Sequence, residues 1–479
     1  MAGKGLVRGR PSPYCRCMDS ITSQELSFRL RGHLYEPGQP EYEDARTLFN
    51  SAIDTLPRYV ARVAAPDDVI AALAFARERG LPVAVRSGGH SVTGKSLAQD
   101  GLVLDLRGMS DVDVDVERRI ARVGGGATWS QFDRAAQEHG LATTGGRVST
   151  TGVAGLTMGG GSGWLERKYG LAADNLLAAD LVTANGELVR ASEDENHELL
   201  WGLRGGGGNF GVVTSLEFQL HPVGPEVFGG LALWPRERGA ELLKLFRDVM
   251  VDAPDELGLA FNYITGPEDD PDVPDELKGR PAVAIVGMYA GSVEEGEEVL
   301  RPIREFGPPV ADFFGPVAYT DFQCSIDDPP GYRNYWTAES VRDLTDDAIA
   351  AIDEHSAGLK PGPSQIFIVP WGGAVARAGQ YSSPLAGRGA GFIVHPLLLW
   401  EGSADDAEQI AYGRSWRELL APFATGDAYL NFIGEEGQER LKAGFGDSHT
   451  RLARLKAKYD GNNVFSGNQN LEPAEPAAA

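Results

Sequence analysis

Cysteine is nearly absent from this chain: Cys15, Cys17 and Cys324 are the only three in 479 residues. That density excludes a disulfide framework and fits a reducing cytoplasm, which is the expected location. Cys15-Arg16-Cys17 has no partner cysteine or histidine close by, so it does not read as a metal clip. Histidine is scarce too, at eight residues, and no pair has metal-ligand spacing; no metal site is expected. Positive charge is in deficit, with 44 Lys and Arg against 68 Asp and Glu, a net charge of −24. Such a surface is a poor match for nucleic acid or an anionic membrane, and neither is expected as a partner. Long apolar runs are missing, so no bilayer span is read, and the basic start Met1 to Arg10 lacks the apolar core of a secretory signal. Residues 1–17, rich in Arg, Gly and Pro, are expected to be a disordered extension, with Met18 an alternative start.

Glycine, by contrast, is abundant, at 61 residues, and it is clustered. Arg86-Ser87-Gly88-Gly89-His90 follows the apolar stretch Leu81 to Val85. Adjacent glycines let backbone amides approach an anion closely, Arg86 supplies a fixed charge, and His90 supplies a nucleophilic imidazole. The amides of Ser87 to Ser91 thus form an anion nest, with Arg86 beside it, suited to a pyrophosphate. Between Thr150 and Gly163 nearly every side chain is small. Such a segment cannot build its own core, and the following Trp164, Leu165 and Tyr169 argue against disorder; a large planar ligand would fill the space.

The order of elements is α+β. Pro66-Asp67-Asp68 opens an amphipathic helix that Gly80 stops, with acidic residues in the first turn. Strands are expected at residues 81–85, 101–106, 119–123, 177–183 and 212–220, a helix capped by Thr128 at 129–138, and a turn at Asn185-Gly186. Texture changes after Pro225. Strand-like pieces at 282–287 and 391–394 and helical pieces at 242–251 and 345–352 suggest a second domain, with an exposed loop at 266–276. The expected division is 40–224, a cofactor domain; 225–430, a substrate domain; 431–473, a returning segment; and 474–479, a frayed tail. Gly206-Gly207-Gly208-Asn209-Phe210-Gly211 fits a dinucleotide fingerprint, but strand-like Val212 to Phe218 follows it where a helix is required, so the nicotinamide reading fails.

Four blocks in order carry a family resemblance: Arg86 to Ser91; Gly152-Val153-Ala154-Gly155-Leu156-Thr157-Met158-Gly159-Gly160-Gly161; Trp201 to Gly211; and Tyr429-Leu430-Asn431-Phe432 with the tail from Lys458 through Asn468-Gln469-Asn470. Over roughly residues 40–473 the chain resembles the berberine-bridge-enzyme-like FAD-linked oxidases of the vanillyl-alcohol-oxidase superfamily. The resemblance implies a PCMH-type FAD-binding domain of two α+β subdomains, and a substrate domain with an antiparallel sheet covered by helices. It implies FAD bonded through its 8α-methyl to His90. Relatives often carry a second link through a cysteine just before the glycine block; here Gly146-Arg147-Val148-Ser149-Thr150-Thr151 has none, so a single histidyl bond is expected. Further cofactor contacts implied are Val148, Thr150, Thr151, Gly152, Gly155, Gly159, Gly160, Ser162, Trp164, Gly211, Val213, Asn468 and Asn470. Tyr429 and Asn431 take the catalytic positions, with Tyr429 as base although an ordinary phenol is a weak one. Tyr332, Tyr335, Trp336 and Trp371 are aromatic pocket candidates, Trp371 foremost, and His395 a further one without a motif behind it. The implied activity is hydride transfer from an alcohol, amine or related carbon of a small organic, sugar or secondary-metabolite substrate to FAD, with dioxygen reduced to hydrogen peroxide. The alternatives are a flavin dehydrogenase using another acceptor and a flavin-binding protein without turnover.

Overall fold

The computed structural model describes residues 21–378, 382–467 and 469–475. The expected disorder of residues 1–17, Asn468 and the end of the tail fall outside them. Ala474, expected to fray, donates its amide to the Ala453 carbonyl at 2.9 Å.

Among the described residues three large sheets, with a two-stranded pairing of Leu141–Ala142 and His221–Pro222, make the fold. The first orders His33–Tyr35, Tyr59–Arg62, Leu102–Asp105 and Val83–Arg86, the last three mutually parallel. Pro66–Arg79 forms the crossover helix, with Pro66 in its first turn, Asp67 and Asp68 near its N-terminus and Gly80 closing it at φ 61°. These signals act as read from the sequence: proline needs no amide partner there, the acids meet the helix dipole, and glycine accepts the left-handed turn. Leu102 and Leu104 pack under this helix with Leu73 and Phe75, while Val103 faces Tyr42 and Ala45 on the opposite side. Burial of both faces explains why this strand reads as an unbroken apolar run.

The second sheet is antiparallel, ordered Val112–Asp115, Ile120–Gly124, Val212–Gln219, Leu176–Val182 and Leu188–Ser192. Helix Trp129–Gln137 covers it, opened by Thr128, whose amide donates to Gln131 Oε1 at 2.9 Å. Val212–Gln219 follows the Gly205–Gly211 run directly, so that run joins a helix, His197–Leu203, to a strand rather than a strand to a helix.

The third sheet has nine strands, all paired antiparallel; its central members are Pro281–Tyr289, Leu257–Thr265, Gln365–Pro370 and Phe392–Trp400. Alternation sorts its two faces. Phe261, Ile285, Ile366, Ile368 and Val394 point to an outer layer of helices that includes Phe246 and Trp416. Ala260, Val286, Phe367, Val369 and Ile393 point inward, toward the core shared with the second sheet. The 266–276 loop is exposed for most of its length, but Val273 is buried with Leu233 and Leu277. The helices Gln438–Phe445 and His449–Asp460 carry the chain back; Leu452 and Leu455 join the same core as Leu199 and Leu203 of helix His197–Leu203. Among the described residues no helix is long and apolar enough to cross a membrane.

Candidate functional site

Strand Val83–Arg86 leads into the Ser87–His90 loop, which lies against the turn preceding helix Val153–Met158. The two segments touch glycine to glycine: a Cβ on Gly88 would stand 2.3 Å from the Gly152 amide nitrogen, and a Cβ on Gly152 equally close to that of Gly88. Gly89 turns at φ 80°, over the Arg86 guanidinium. Ser87, Gly88, Gly89, His90 and Ser91 all line a cavity of about 340 Å³ between the first two sheets and the inner face of the third. Arg86 departs from its expected place. Its side chain is buried beneath the loop and donates to the Ala45 carbonyl at 2.6 Å, and it does not line the cavity. Burial, with Arg107 adding repulsion, lowers its pKa to about 10. The charge therefore lies beneath the loop rather than reaching into the cavity.

The small-residue segment forms the cavity bed. Val148, Thr151, Gly152, Gly155, Gly159 and Ser162 line it, joined by Gly205–Gly208, Gly211 and Val213 from the second glycine run. A Cβ on Gly155 would meet nothing within 4 Å, so the bed is open where a flat ring could lie. Gly160 backs the bed from below, against the Tyr429 ring. Trp164 does not line the cavity; its ring supports the Arg147 guanidinium at 4.8 Å. Asn470 does not line it either: its Oδ1 is buried without a partner and its carbonyl accepts from Gln438, while neighbouring Gln469 reaches the cavity.

His90 sits at one side of this bed. Its Nε2 is 2.9 Å from the Thr150 hydroxyl, and its ring stacks on Phe49 at 4.3 Å. Burial, then the charge of Arg86, holds its pKa down to about 4. The imidazole is therefore neutral near pH 7, with Nδ1 the nitrogen not committed to Thr150. Residues 146–151 place Thr150, not sulfur, beside it.

Tyr429 lies elsewhere than a substrate base would. Its hydroxyl oxygen accepts the Gly161 and Ser162 amides, both at 2.8 Å, and the Asn431 Nδ2 at 3.4 Å. Three donors favour a phenolate, yet burial and the nearby Glu166 carboxylate outweigh them and raise the phenol to about 12. Tyr429 is not among the cavity-lining residues; Leu430, Asn431 and Phe432 are. It acts from beneath, holding the turn of the bed in place. Asn431 lines the cavity and donates to the Leu156 carbonyl at 2.9 Å.

Of the aromatic candidates only Trp336 lines the cavity. Trp371 packs edge-on to Tyr429 at 5.2 Å, Tyr335 packs against Gly413, and Tyr332 lies at the surface of the core. His395 lines the cavity, as do Gln365, Phe367, Asp328 and Phe432, which the sequence reading did not single out. Gln365 and Phe367 share a sheet face with His395 and Leu397, so period-two alternation along both strands was the signal available for them. Asp328 comes from an irregular segment without such a signal. Its neighbour Asp327 accepts both the amide and the hydroxyl of Ser149, at 2.6 and 2.5 Å, joining this loop to the bed. Also unforeseen is the buried pair Arg147–Glu166, 2.8 Å apart, which ties the bed at Ser162 and Gly163. Among the described residues no group of three or more potential metal ligands is found.

Comparison with known proteins agrees with this architecture. Residues 57–192 match the FAD binding domain family model and residues 428–472 the berberine and berberine-like model. FAD-linked oxidoreductase pgmH of Aspergillus terreus is 30% identical, covering 91% of this chain and 93% of that protein. The (R)-6-hydroxynicotine oxidase of Paenarthrobacter nicotinovorans is 29% identical, covering 95% and 99%. The crystal structure of 6-hydroxy-D-nicotine oxidase from Arthrobacter nicotinovorans superposes with a TM-score of 0.85 at 27% identity, over 95% of this chain and all of that one. On these matches, the chain belongs to the berberine-bridge-enzyme-like FAD-linked oxidoreductases.

Proposed function

We propose that the protein is an oxidase that carries FAD on a single covalent bond to His90 and oxidises a small organic substrate, an alcohol or amine, at the expense of dioxygen. The observation that carries this reading is His90 itself: a neutral imidazole opening onto a side-chain-poor bed, oriented by Thr150 through Nε2 and with no cysteine across from it. The residues present fit the cofactor. The bed is open at Gly155, and the Ser87 hydroxyl is buried without a protein partner, a donor left for a phosphate oxygen.

Bound FAD supplies the hydride acceptor, and dioxygen takes the electrons onward to hydrogen peroxide. The chain's own residues do the rest. Ser87 to Ser91 hold the pyrophosphate, with the Arg86 charge behind them. The two glycine runs seat the ring. Tyr429 and the Arg147–Glu166 pair hold the bed from below, and would keep it rigid under a bound ring. That wall comes from Trp336, Phe367, Phe432 and Leu397 and is mostly apolar, which excludes water from the transfer. The relatives that act on 6-hydroxynicotine make a heteroaromatic amine a reasonable first substrate to try.

The test is acid precipitation of the purified protein followed by centrifugation. Yellow colour is expected in the pellet, and in the supernatant for the H90A variant. Colour released from the unmodified protein would overturn the covalent bond; bleaching without peroxide release would overturn the oxidase assignment.

A further inference from the structure

We propose that Nε2 of His395 is the hydrogen-bond acceptor that holds the substrate's O–H or N–H, and that the wall around it selects a neutral, ring-bearing substrate. The inference rests on the oxidase reading for which substrate is meant, but its evidence is independent of the flavin.

Strands Gln365–Pro370 and Phe392–Trp400 pair antiparallel with Phe367 opposite His395 and Gln365 opposite Leu397. The pleat sends all four side chains to the same face, and all four line the cavity. On His395 the two ring nitrogens have different fates. Nδ1 lies 2.8 Å from the Thr337 carbonyl. A carbonyl only accepts, so Nδ1 must carry the proton, and Nε2 is left as a bare lone pair. That Nε2 is buried with no partner in the protein. An unpaired acceptor in an apolar wall is costly, and the cost is removed when a ligand donates to it. Burial, only partly offset by the Thr337 bond, keeps the ring neutral, with a pKa down to about 3.

The surroundings set the class of ligand. The imidazole stacks flat on Phe432 at 4.3 Å and meets Trp336 edge-on at 5.6 Å. These two rings and Phe367 leave the lone pair at the edge of an aromatic surface, which suits a sugar or aromatic ring bearing one donor. Arg147, which itself lines the cavity, lies over Phe367 at 5.5 Å and places positive charge in this wall, which disfavours a cation there. Asp328 is the one carboxyl lining the cavity among the described residues, and burial with Asp327 beside it raises its pKa to about 7, so near neutral pH it carries only about half of a carboxylate's charge to hold one. Among the described residues no tyrosine hydroxyl lines the cavity to compete with His395.

The test uses the flavin-loaded protein and two probes of like shape, phenol and toluene, titrated by calorimetry without turnover. Phenol is expected to bind about five-fold tighter than toluene, the worth of one neutral hydrogen bond, and the preference should vanish in H395L. Imidazole nitrogen resonances of the unmutated protein give a second readout in case H395L does not fold: the acceptor-type Nε2 signal of His395 should move on adding phenol and stay put with toluene. Equal binding of the two probes, no measurable phenol binding, a preference that survives in H395L, or an unmoved Nε2 signal at saturating phenol would each overturn the assignment. A protein that holds no flavin would instead overturn the oxidase reading, and the probe comparison stays separate from it.

Discussion

Gly88 and Gly152 meet back to back, each with room for a hydrogen and none for a methyl: a Cβ on either would stand 2.3 Å from the other's amide nitrogen. The contact joins the Ser87–His90 loop to the glycine bed, so the geometry of one is set by the other. Gly88→Ala and Gly152→Ala must force the loops apart, at a cost of about 1–3 kcal/mol or more, because backbone rather than a flexible side chain stands in the way. Both variants should show lowered urea midpoints and lose flavin absorbance per mole of protein. Gly155→Ala is the control. Its Cβ meets nothing within 4 Å, so stability should be kept while flavin loading suffers from the methyl group in the bed.

Tyr429 makes the next prediction, because its oxygen is the shared acceptor of two buried amides. Tyr429→Phe orphans both, and each unsatisfied group costs about 1–3 kcal/mol. Unfolding should show that loss. The pH dependence of turnover should be unchanged, since a phenol raised to about 12 stays protonated throughout the range where the protein is assayed. A basic limb present in the unmodified enzyme and missing in the variant would restore Tyr429 to the role of base.

How far such features were legible from the chain follows from range. The helix Pro66–Arg79 carried its own punctuation in Pro66, Asp67 and Gly80, all local, and its limits were readable to within a residue. The glycine bed was readable because small residues in series have few other uses. The positions of Arg86 and Tyr429 were not, since both depend on partners far along the chain: Ala45 lies 41 residues from Arg86, and Gly161 lies 268 from Tyr429. A motif names the residue, but which side of a floor it occupies is settled by packing. The cavity wall on the third sheet was hidden for another reason. Buried on both faces, Phe392–Trp400 is apolar at nearly every position, so its one histidine, a pocket candidate without a motif, could not be told from core until the sheet's inner face was known.

The pair Arg147–Glu166 is almost wholly buried, with side-chain exposures of 8% and 3%. Glu166 also accepts the Gly163 amide at 3.1 Å, so the pair pins the bed at two points. Glu166→Gln leaves the guanidinium charged without its counter-ion. Breaking a buried pair from one side costs about 3–5 kcal/mol, and the variant should unfold earlier by that amount in denaturant. Replacing both partners, as Arg147→Met with Glu166→Met, should cost less than the sum of the single changes, because no uncompensated charge remains. Additive losses in that cycle would show that the two side chains act separately.

Asp133, on helix Trp129–Gln137, is buried against Gln323, whose Nε2 donates to its Oδ2 at 3.0 Å. That bond is too weak to offset burial, and the carboxyl is pushed up from 3.8 to about 7. The folded protein therefore holds a proton that the unfolded chain has released between about pH 4 and about pH 7. The stability this proton brings is complete below that window and is lost as pH rises through the folded value, after which the curve levels. Asp133→Asn keeps the shape and the acceptor for Gln323 but cannot ionise. Its stability advantage over the unmodified protein should be near zero at about pH 4 and grow to the order of 4 kcal/mol by about pH 8. Denaturant midpoints across that range measure the difference; a gap between the two proteins that stays constant with pH would show that Asp133 does not change its charge there.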